Sequence, residues 1–291
     1  MARPEPITPA ALRAWPLPDD AGSKDERGSL LVVGGARATP GAAMLAGIAA
    51  LRVGAGRLTL AVAEPVATAV AVAVPEAGAV GLPSTPGGLV DGTGAERLEP
   101  HLERATVVVV GPGLDGADET RSLLTAVLPL VGPGTGVVLD AFALGVLRDL
   151  DRDLVRRFEG RLVLTPNAAE GARLLDSDPD DVVDPADMAR RIAAEHQAVV
   201  SCRGVVAAPD GSLHEASTGT GGLATSGSGD VLVGAVAGVL ARGTTPLQAA
   251  CWGTHLHGAA GDRLAARVAQ RGYLARELLD ELPAVLTELG G

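Results

Sequence analysis

A glycine-rich segment at residues 219–230, with the sequence GTGGLATSGSGD, is well suited to phosphate chemistry. Glycines allow the main chain to approach a phosphate closely, and successive amide N–H groups form a concavity that binds anions. The apolar stretch at 231–241 is predicted to be a helix whose positive end adds to this field. The segment lacks the Gly-Lys-Ser/Thr ending of a Walker A loop. It therefore predicts a phosphate site of another kind.

Asp230 closes this segment. We expect the field of the amides and the helix to keep its carboxylate ionised, and a carboxylate fixed beside a phosphoryl group can act as a general base on a hydroxyl. An acid at the start of a helix can equally be no more than a cap. The spacing alone leaves both interpretations open.

The composition of the chain limits its partners. Among 291 residues, 24 Lys and Arg against 35 Asp and Glu give a net charge of −11, the wrong sign for binding a phosphate backbone. Aromatic residues make up only 2%, too few for base-stacking platforms. We therefore expect no nucleic-acid partner, and a core built from Ala, Val and Leu.

The sequence gives no sign of secretion or of a membrane segment. The N-terminal stretch has no continuous apolar run after its charges, and runs such as 66–74 are far shorter than the ~18 residues needed to span a bilayer. Cys202 and Cys251 are far apart in the sequence and are expected to be buried core thiols. These features predict a soluble cytoplasmic protein that binds no membrane.

Short apolar runs alternate with longer Ala- and Leu-rich segments, as in a parallel sheet covered by helices on both faces. We predict one α/β domain over 1–291, a three-layer α/β/α sandwich with a mostly parallel sheet. In such sheets, ligands bind at the carboxyl ends of the strands, where the strand order reverses. Thr39-Pro40 and Thr245-Pro246 are predicted helix starts. The predicted strands lie at 30–33, 58–62, 106–110, 137–139, 162–164 and 199–200, and the predicted helices at 40–53, 118–130, 184–195, 231–241 and 246–268.

The sequence TSGSGDVL at 225–232 resembles the GxGD anion-hole signature of the ribokinase-like superfamily. Further stretches resemble the ADP-dependent NAD(P)H-hydrate dehydratases in particular, and they follow one another in order from residue 24 to residue 282. The resemblance implies a ribokinase-like fold. The matching stretches are GSLLVVGG (28–35), PGAA (40–43), AALRVGAG (49–56), VPE (74–76), GPGL (111–114) and LHGAAGD (256–262).

This resemblance implies a repair reaction on hydrated NADH or NADPH. Members of the family transfer a phosphoryl group from ADP, or from ATP in some cases, to the hydroxyl of the hydrated ring, and phosphate then leaves. By the same implication, Asp230 is the catalytic base and contacts the substrate together with Ala42 and Gly113. Without the resemblance, Ala42 would be an ordinary small core residue and Gly113 part of a tight turn. The positions whose amides are expected to face the transferred phosphate are Ser226, Gly227, Ser228 and Gly229.

The chain departs from the family after the predicted strand at 162–164, where TPNAAE replaces the usual Thr-Pro-His-Pro-Gly-Glu. Asn167 takes the place of the substrate-binding His and is expected to contact the substrate. Asn-x-x-Glu resembles the metal–phosphate motif of the ribokinase-like kinases, so Glu170 is expected to help hold Mg²⁺. The same spacing suits a capping box, and the two roles can coexist.

Two further positions differ from the usual family pattern. Arg203 stands where the family usually has Lys, and the loop after Gly204 is shortened. The resemblance implies that Arg203 and Gly204 contact the nucleotide, and Arg can hold a phosphate through two hydrogen bonds where Lys acts as a point charge. Phe142 stands where a small or acidic residue is usual. Asp140 keeps its place after 137–139 and is expected either to position metal or water or to cap a turn.

Two other functions remain open. Asn167 and Glu170 favour a small-molecule kinase acting on a heterocyclic alcohol, whereas the departures at 167 and 203 favour a nucleotide-binding protein without activity. The apolar segment at 64–82 is predicted to be covered in a homo-oligomer, and the resemblance implies a tetramer. His255 and His257 are two apart on a predicted helix, so they face different sides and form no metal pair.

Overall fold

The computed structural model describes residues 3–18, 22–178 and 184–291. In these residues the strands are β1 (Glu5–Ile7), β2 (Ser29–Val33), β3 (Arg57–Ala63), β4 (Ala77–Leu82), β5 (Val107–Val110), β6 (Gly136–Leu139), β7 (Leu162–Leu164), β8 (Val199–Cys202), β9 (Val205–Ala207) and β10 (Leu213–Ala216). The helices are α1 (Pro9–Ala14), α2 (Pro40–Arg52), α3 (Glu64–Ala73), α4 (Glu99–Leu102), α5 (Ala117–Val127), α6 (Phe142–Gly145), α7 (Arg152–Arg156), α8 (Ala168–Leu174), α9 (Pro185–His196), α10 (Ser228–Ala241), α11 (Pro246–Arg267) and α12 (Ala275–Glu288).

All of these strands belong to one sheet, in the order β1-β10-β9-β8-β7-β6-β5-β2-β3-β4. The run from β8 to β4 is parallel throughout, whereas β9 is antiparallel to both of its neighbours. Because β2 lies between β3 and β5, the chain builds the sheet in one direction from β2 to β4 and in the other direction from β5 onward. The strand order therefore reverses between β2 and β5, where a binding crevice is expected.

Both faces of the sheet are buried. Along β2, Leu30 and Val32 pack into one hydrophobic cluster with α2, α10, α11 and α12, and Leu31 and Val33 pack into a second cluster with α5, α6 and α9. Burial on both sides explains why the central strands are apolar at every position. The predicted three-layer α/β/α sandwich is confirmed. The prediction of one domain over 1–291 extends beyond the described residues and stays a prediction.

Each predicted strand corresponds to an observed one, namely β2, β3, β5, β6, β7 or β8. The sequence does not predict β4, an edge strand whose sequence AGAVGL contains two glycines and little β-branched character. The helix predicted at 118–130 ends at Val127 and continues as a short 3₁₀ turn. Helix α10 begins at Ser228, before the predicted start at 231, so Asp230 lies inside its first turn.

The two Thr-Pro helix starts differ in what the threonine does. Thr245 Oγ1 accepts a hydrogen bond from Gln248 N at 3.2 Å and caps α11, as predicted. Thr39 makes no side-chain cap, and its hydroxyl instead donates to the carbonyl oxygen of Gly113 at 2.8 Å. The cap predicted at Thr39 is therefore wrong. The hydroxyl ties the start of α2 to the loop after β5.

Cys202 and Cys251 are both buried and unpaired, as predicted. In the part of the chain that the structure describes, no helix is long and apolar enough to cross a membrane.

Candidate active site

The loops after β2 and β5 meet at the carboxyl edge of the sheet, where the strand order reverses. Ala36 N donates to Gly113 O at 2.7 Å, which joins the two loops directly. Gly111 has a φ of 135°, and a Cβ atom there would lie only 1.8 Å from the carbonyl oxygen of Asp140. Only glycine fits this approach of three loops, and the tight turn predicted from the sequence is confirmed.

Ala42 and Gly113 lie against each other in this crevice. A Cβ atom added at Gly113 would lie 3.0 Å from the Cβ of Ala42 and 2.3 Å from the carbonyl oxygen of Thr39. Ala42 is only partly buried, whereas Ala43 is fully buried among the core residues. Ala43, and not Ala42, is therefore the core residue at this point of α2. Ala42 lies at the edge of the crevice.

Helices α2 and α10 pack side by side and run in the same direction. A Cβ atom added at Gly234 would lie 2.1 Å from the carbonyl oxygen of Ala46, and Gly238 makes the same kind of contact one turn later. Because the contacts advance together along both helices, we infer that the preceding turn brings Asp230 to the side of α2 that carries Ala42. The glycines of α10 thus let Asp230 reach the Ala42 side of the crevice.

The loop that leads into α10 presents main-chain N–H groups at the same place. Gly227 is the N-cap residue, with a φ of 86°. The amide of Ser228 already donates to Thr225 O at 3.2 Å, so this position does not meet the expectation of a free amide. Within the described residues, the amides with no acceptor in this turn are those of Ser226, Gly227, Gly229 and Asp230.

Asp230 is the third residue of α10 and does not cap the helix, because Gly227 occupies the N-cap position. Burial raises the pKa of its carboxyl group from 3.8 to about 6. Desolvation outweighs the field of the amides and the helix at this group, so its pKa rises rather than falls. The group is still ionised at neutral pH, and it is a stronger base than an ordinary aspartate.

Asp140 and Glu170 place further acidic groups near Asp230. Asp140 follows β6, is buried, and accepts a hydrogen bond from Thr165 Oγ1 at 2.7 Å. Burial raises the pKa of Asp140 to about 8, and repulsion from Glu170 and Asp230 acts in the same direction. Asp140 therefore carries a proton at neutral pH. Phe142, which opens α6 beside this group, is 39% exposed.

Asn167 and Glu170 form a capping box at the start of α8. Asn167 Oδ1 accepts from Glu170 N at 3.0 Å, and Glu170 Oε2 accepts from Asn167 N at 2.9 Å. The capping interpretation of this pair is confirmed. Burial also raises the pKa of Glu170. Among residues 3–18, 22–178 and 184–291, no group of three or more His, Cys, Asp and Glu side chains could hold a metal ion.

Arg203 and Gly204 alone connect β8 to β9. Their φ angles of 50° and 85° are both left-handed, as in the type I′ turn of a two-residue hairpin. The next strand begins directly after Gly204, as the sequence predicts, and the shortening relative to the family stays a prediction. Arg203 is exposed at the carboxyl end of β8, so it shares the sheet edge with Asn167 after β7 and Asp140 after β6.

A family model described as NAD(P)H-hydrate dehydratase matches residues 30–284. The chain belongs to this family. A relative in Xanthomonas campestris pv. campestris, an ADP-dependent (S)-NAD(P)H-hydrate dehydratase, is 43% identical over 287 residues, which cover 97% of this chain and 96% of the relative. Other relatives are bifunctional NAD(P)H-hydrate repair enzymes, and the chain spans only 52% of the one from Moorella thermoacetica.

Solved structures agree with this membership of the dehydratase family. The ADP/ATP-dependent NAD(P)H-hydrate dehydratase from Bacillus subtilis, co-crystallised with ATP/Mg²⁺, is 29% identical, with a TM-score of 0.82 over 99% of this chain and 100% of that one. A ribokinase-like superfamily protein from Enterococcus faecalis V583, 22% identical, shares the fold with a TM-score of 0.78 over 98% of this chain and 96% of its own. The predicted ribokinase-like fold is confirmed.

Two residues of α11 contact the glycine loop of this dehydratase-family chain although the sequence assigns them no chemistry. The Nε2 atom of His257 lies 2.8 Å from the Oγ of Ser228. The carboxylate of Asp262 accepts from Gly219 N at 3.0 and 3.1 Å. The available signal was the family-like stretch LHGAAGD at 256–262, which matches the dehydratases without indicating a role.

Two cavities lie at the opposite, amino-terminal edge of the sheet. One of about 650 Å³ is lined by Arg148, Arg156 and His196, and one of about 780 Å³ is lined by Arg57 and His101. Neither cavity contains a residue that the sequence or the family resemblance predicts for catalysis or binding. The carboxyl edge therefore remains the candidate active site.

Proposed function

We propose that this family member restores NADH or NADPH from their hydrated forms in an ADP-dependent dehydration. One observation carries the proposal, and it is the position of Asp230. Asp230 lies in the first turn of α10 beside unpaired amides, and the parallel packing of α10 on α2 directs this turn towards the crevice of Ala42 and Gly113. The relatives in Xanthomonas campestris and Bacillus subtilis, whose names state this activity, support the choice of substrate.

The chemistry begins at the hydroxyl of the hydrated nicotinamide ring. Asp230 accepts the hydroxyl proton while the oxygen attacks the terminal phosphorus of ADP, so that an O–P bond forms and AMP leaves. The ring then carries a phosphate ester, a far better leaving group than hydroxide. Cleavage of its C–O bond releases phosphate, and loss of a ring proton restores the double bond. Asp230 acts in the first of these steps.

The terminal phosphate of ADP is expected to lie against the amides of Gly229 and Asp230. These N–H groups point out of the first turn of α10 without a partner, which is the arrangement that stabilises negative charge in a transition state. Ser226 and Gly227 add two more unpaired amides to this turn. Arg203 and Gly204, at the tip of the β8–β9 hairpin, are proposed to contact the rest of the nucleotide, with the guanidinium free to reach a phosphate.

The residues of the site fit a hydrated Mg²⁺, the cation present with ATP in the Bacillus subtilis structure. Mg²⁺ keeps several waters and takes one or two carboxylates together with substrate phosphates, so it does not need a cluster of three protein ligands. Repulsion from Glu170 and Asp230 contributes to the raised pKa of Asp140, and a cation held near these groups would relieve that repulsion. Glu170 would hold the hydrated ion while keeping its capping bond, and Asn167 would contact the substrate. The bound ion supplies charge neutralisation at the phosphates.

The raised pKa of Asp230 predicts the pH dependence of the reaction. The carboxyl must be ionised to accept a proton, and burial places its pKa at about 6. The kcat/KM for the hydrated nucleotide should therefore be constant at neutral pH and fall about tenfold per pH unit below pH 6. Initial rates measured from pH 8 down to about pH 5, corrected for the enzyme-free reaction, give this profile. A profile that stays flat through pH 6 would remove Asp230 from the base role.

A direct assay tests the proposed function. The purified protein is mixed with hydrated NADH, Mg²⁺ and either ADP or ATP, and the recovery of the reduced-nicotinamide absorbance is followed. We expect recovery with ADP, together with stoichiometric AMP and phosphate. The kinase interpretation is not required by Asn167 and Glu170, because the capping box already explains the pair, although the two roles can coexist. Phosphorylation of a small alcohol without recovery of NADH would nevertheless establish it, and nucleotide binding without either reaction would indicate an inactive family member.

We also propose a homotetramer in the cytoplasm. Helix α3 leaves the side chain of Val72 78% exposed, and β4 beside it is an edge strand, so the segment 64–82 offers the apolar surface expected from the sequence. Light scattering should return about four times the 29.1 kDa of one chain. A mass of 29.1 kDa would exclude the oligomer.

A further inference from the structure

The glycine loop at 219–230 is long and makes few bonds of its own. Its internal hydrogen bonds are short-range turns, such as Leu223 N to Thr220 O at 3.1 Å and Ser228 N to Thr225 O at 3.2 Å. A chain so rich in glycine has many accessible conformations, and its unpaired amides can hold a phosphate only if their directions are fixed. Another part of the molecule must therefore order the loop.

Helix α11 lies directly behind this loop. A Cβ atom added at Gly258 would lie 2.5 Å from the Oγ1 of Thr218, and one added at Gly261 would lie 2.7 Å from the Cδ2 of Leu223. The two glycines, both in the stretch LHGAAGD, thus let the loop pack tightly on the helix. Larger residues at either position would push the loop away.

Two polar side chains of α11 fix the two ends of the loop. Asp262 accepts from the amide of Gly219 with both carboxylate oxygens, at 3.1 and 3.0 Å. At the other end, the Nε2 of His257 and the Oγ of Ser228 share a hydrogen bond of 2.8 Å. Ser228 is the first residue of α10, so this bond holds the turn from which the amides of Gly229 and Asp230 emerge.

His257 acts through this hydrogen bond rather than through charge. Burial lowers the pKa of its imidazole to about 4, so the ring is neutral at physiological pH. Because the His257 ring behind Ser228 carries no charge, the main-chain amides, and not the imidazole, attract the phosphate. His255, two residues earlier on α11, is buried to a similar degree, but its Nδ1 has no hydrogen-bond partner among the described residues.

We propose that His257 and Asp262 are positioning residues that hold the two ends of the glycine loop on α11, so that the amides between them stay directed at the phosphate of the nucleotide. This role deepens the proposed function and rests on it for the identity of the nucleotide. The proposal also explains the stretch LHGAAGD at 256–262. His257 and Asp262 hold the loop through hydrogen bonds, and the glycines of the stretch form the surface on which the loop packs.

The test compares variants that break each anchor with variants that keep it. His257→Leu and Asp262→Leu remove the polar partner, whereas His257→Gln and Asp262→Asn retain an atom able to make the same bond. His255→Leu is the control for removing a buried imidazole from the same helix, because the Nδ1 of His255 has no hydrogen-bond partner among the described residues. The double variant Ser228→Ala/His257→Leu asks whether His257 acts through Ser228.

Amide hydrogen exchange of the peptide covering 217–231, measured without nucleotide, reports the order of the loop directly. We expect faster exchange in His257→Leu and Asp262→Leu, and wild-type exchange in His257→Gln, Asp262→Asn and His255→Leu. This readout needs no catalysis, so it stands even if the proposed dehydration fails. Wild-type exchange in both leucine variants, or equal loosening in His255→Leu, would overturn the proposal.

Binding and rate measurements extend the test to the site. The affinity for ADP and the kcat should each fall about tenfold or more in the two leucine variants, the size typical of losing an outer partner of a functional group. The double variant should lose no more than His257→Leu alone. Losses that multiply in the double variant would show that His257 does not act through Ser228. Unchanged ADP affinity in both leucine variants would contradict the positioning role.

Discussion

Asp230→Asn is expected to lower kcat by about 10²- to 10⁴-fold, the usual contribution of a general base, while ADP still raises the melting temperature. Asparagine has the same size but cannot accept the hydroxyl proton, and the neighbouring amides that hold the phosphate are main-chain groups left in place. Turnover of hydrated NADH and thermal unfolding with and without ADP measure the two effects separately.

The free energy of unfolding of Asp230→Asn provides a second, independent test. The folded-state pKa of Asp230 is raised to about 6, so the penalty for burying the charge is absent below the ordinary value of 3.8 and grows as pH rises through 6. Above that pH, Asp230→Asn should be more stable than the wild type by about 1–3 kcal/mol. Asp118→Asn, an exposed acid in the first turn of α5 that pairs with Arg121, should change neither activity nor stability appreciably. Retained turnover in Asp230→Asn would exclude the base role.

Gly113→Ala is expected to damage both the fold and the substrate crevice. The φ of 71° at this position disfavours any side chain, and the new Cβ would lie 2.3 Å from Thr39 O and 3.0 Å from the Cβ of Ala42. To avoid these two close contacts, the loop after β5 must move away from α2. This movement breaks the hydrogen bond from the Thr39 hydroxyl to Gly113 O. We expect a loss of about 2–4 kcal/mol in the free energy of unfolding.

Denaturant unfolding measures this loss, and the KM for the hydrated nucleotide at a temperature where the variant is folded measures the effect on the crevice. KM should rise strongly while the affinity for ADP changes little. Gly134→Ala is the matched control, because nothing lies within 4 Å of its added Cβ and its backbone is not left-handed. A Gly113→Ala variant as stable and as active as Gly134→Ala would show that this glycine forms no part of the site.

The architecture of the sheet is largely readable from the sequence. Strands β2, β3 and β5 to β8 are short, uniformly apolar and rich in Val and Leu, because both faces of the sheet are covered. Edge strands lack this signal. The strand β4 contains two glycines and is half exposed, so neither its composition nor its burial distinguishes it from a loop.

The chemistry of the site is less readable because it depends on three-dimensional contacts. The sequence places Asp230 beside an anion-binding loop, but the direction of its pKa shift follows from burial, which no local pattern reveals. Thr39 has the sequence pattern of a helix cap, yet its hydroxyl donates to the carbonyl oxygen of Gly113, 74 positions away. His257 likewise gains a role only when α11 folds against a loop 29 residues earlier in the chain.

The capping box is the opposite case, because its hydrogen bonds form between residues that are close in the sequence. Asn167 and Glu170 are three residues apart, and both of their reciprocal bonds form within one helical turn. The motif is therefore explained without a ligand. A part for Glu170 in Mg²⁺ binding has to be argued from its acidic neighbours Asp140 and Asp230, which come from other elements.

The central claim is that the turn before α10 receives the phosphate that moves, and a crystal structure with bound ADP and Mg²⁺ tests it most directly. We predict that the terminal phosphate accepts hydrogen bonds from the amides of Gly229 and Asp230, with the Asp230 carboxylate facing the crevice of Ala42 and Gly113. A terminal phosphate bound elsewhere, such as in the cavity of Arg148, Arg156 and His196 at the opposite edge, would contradict the account.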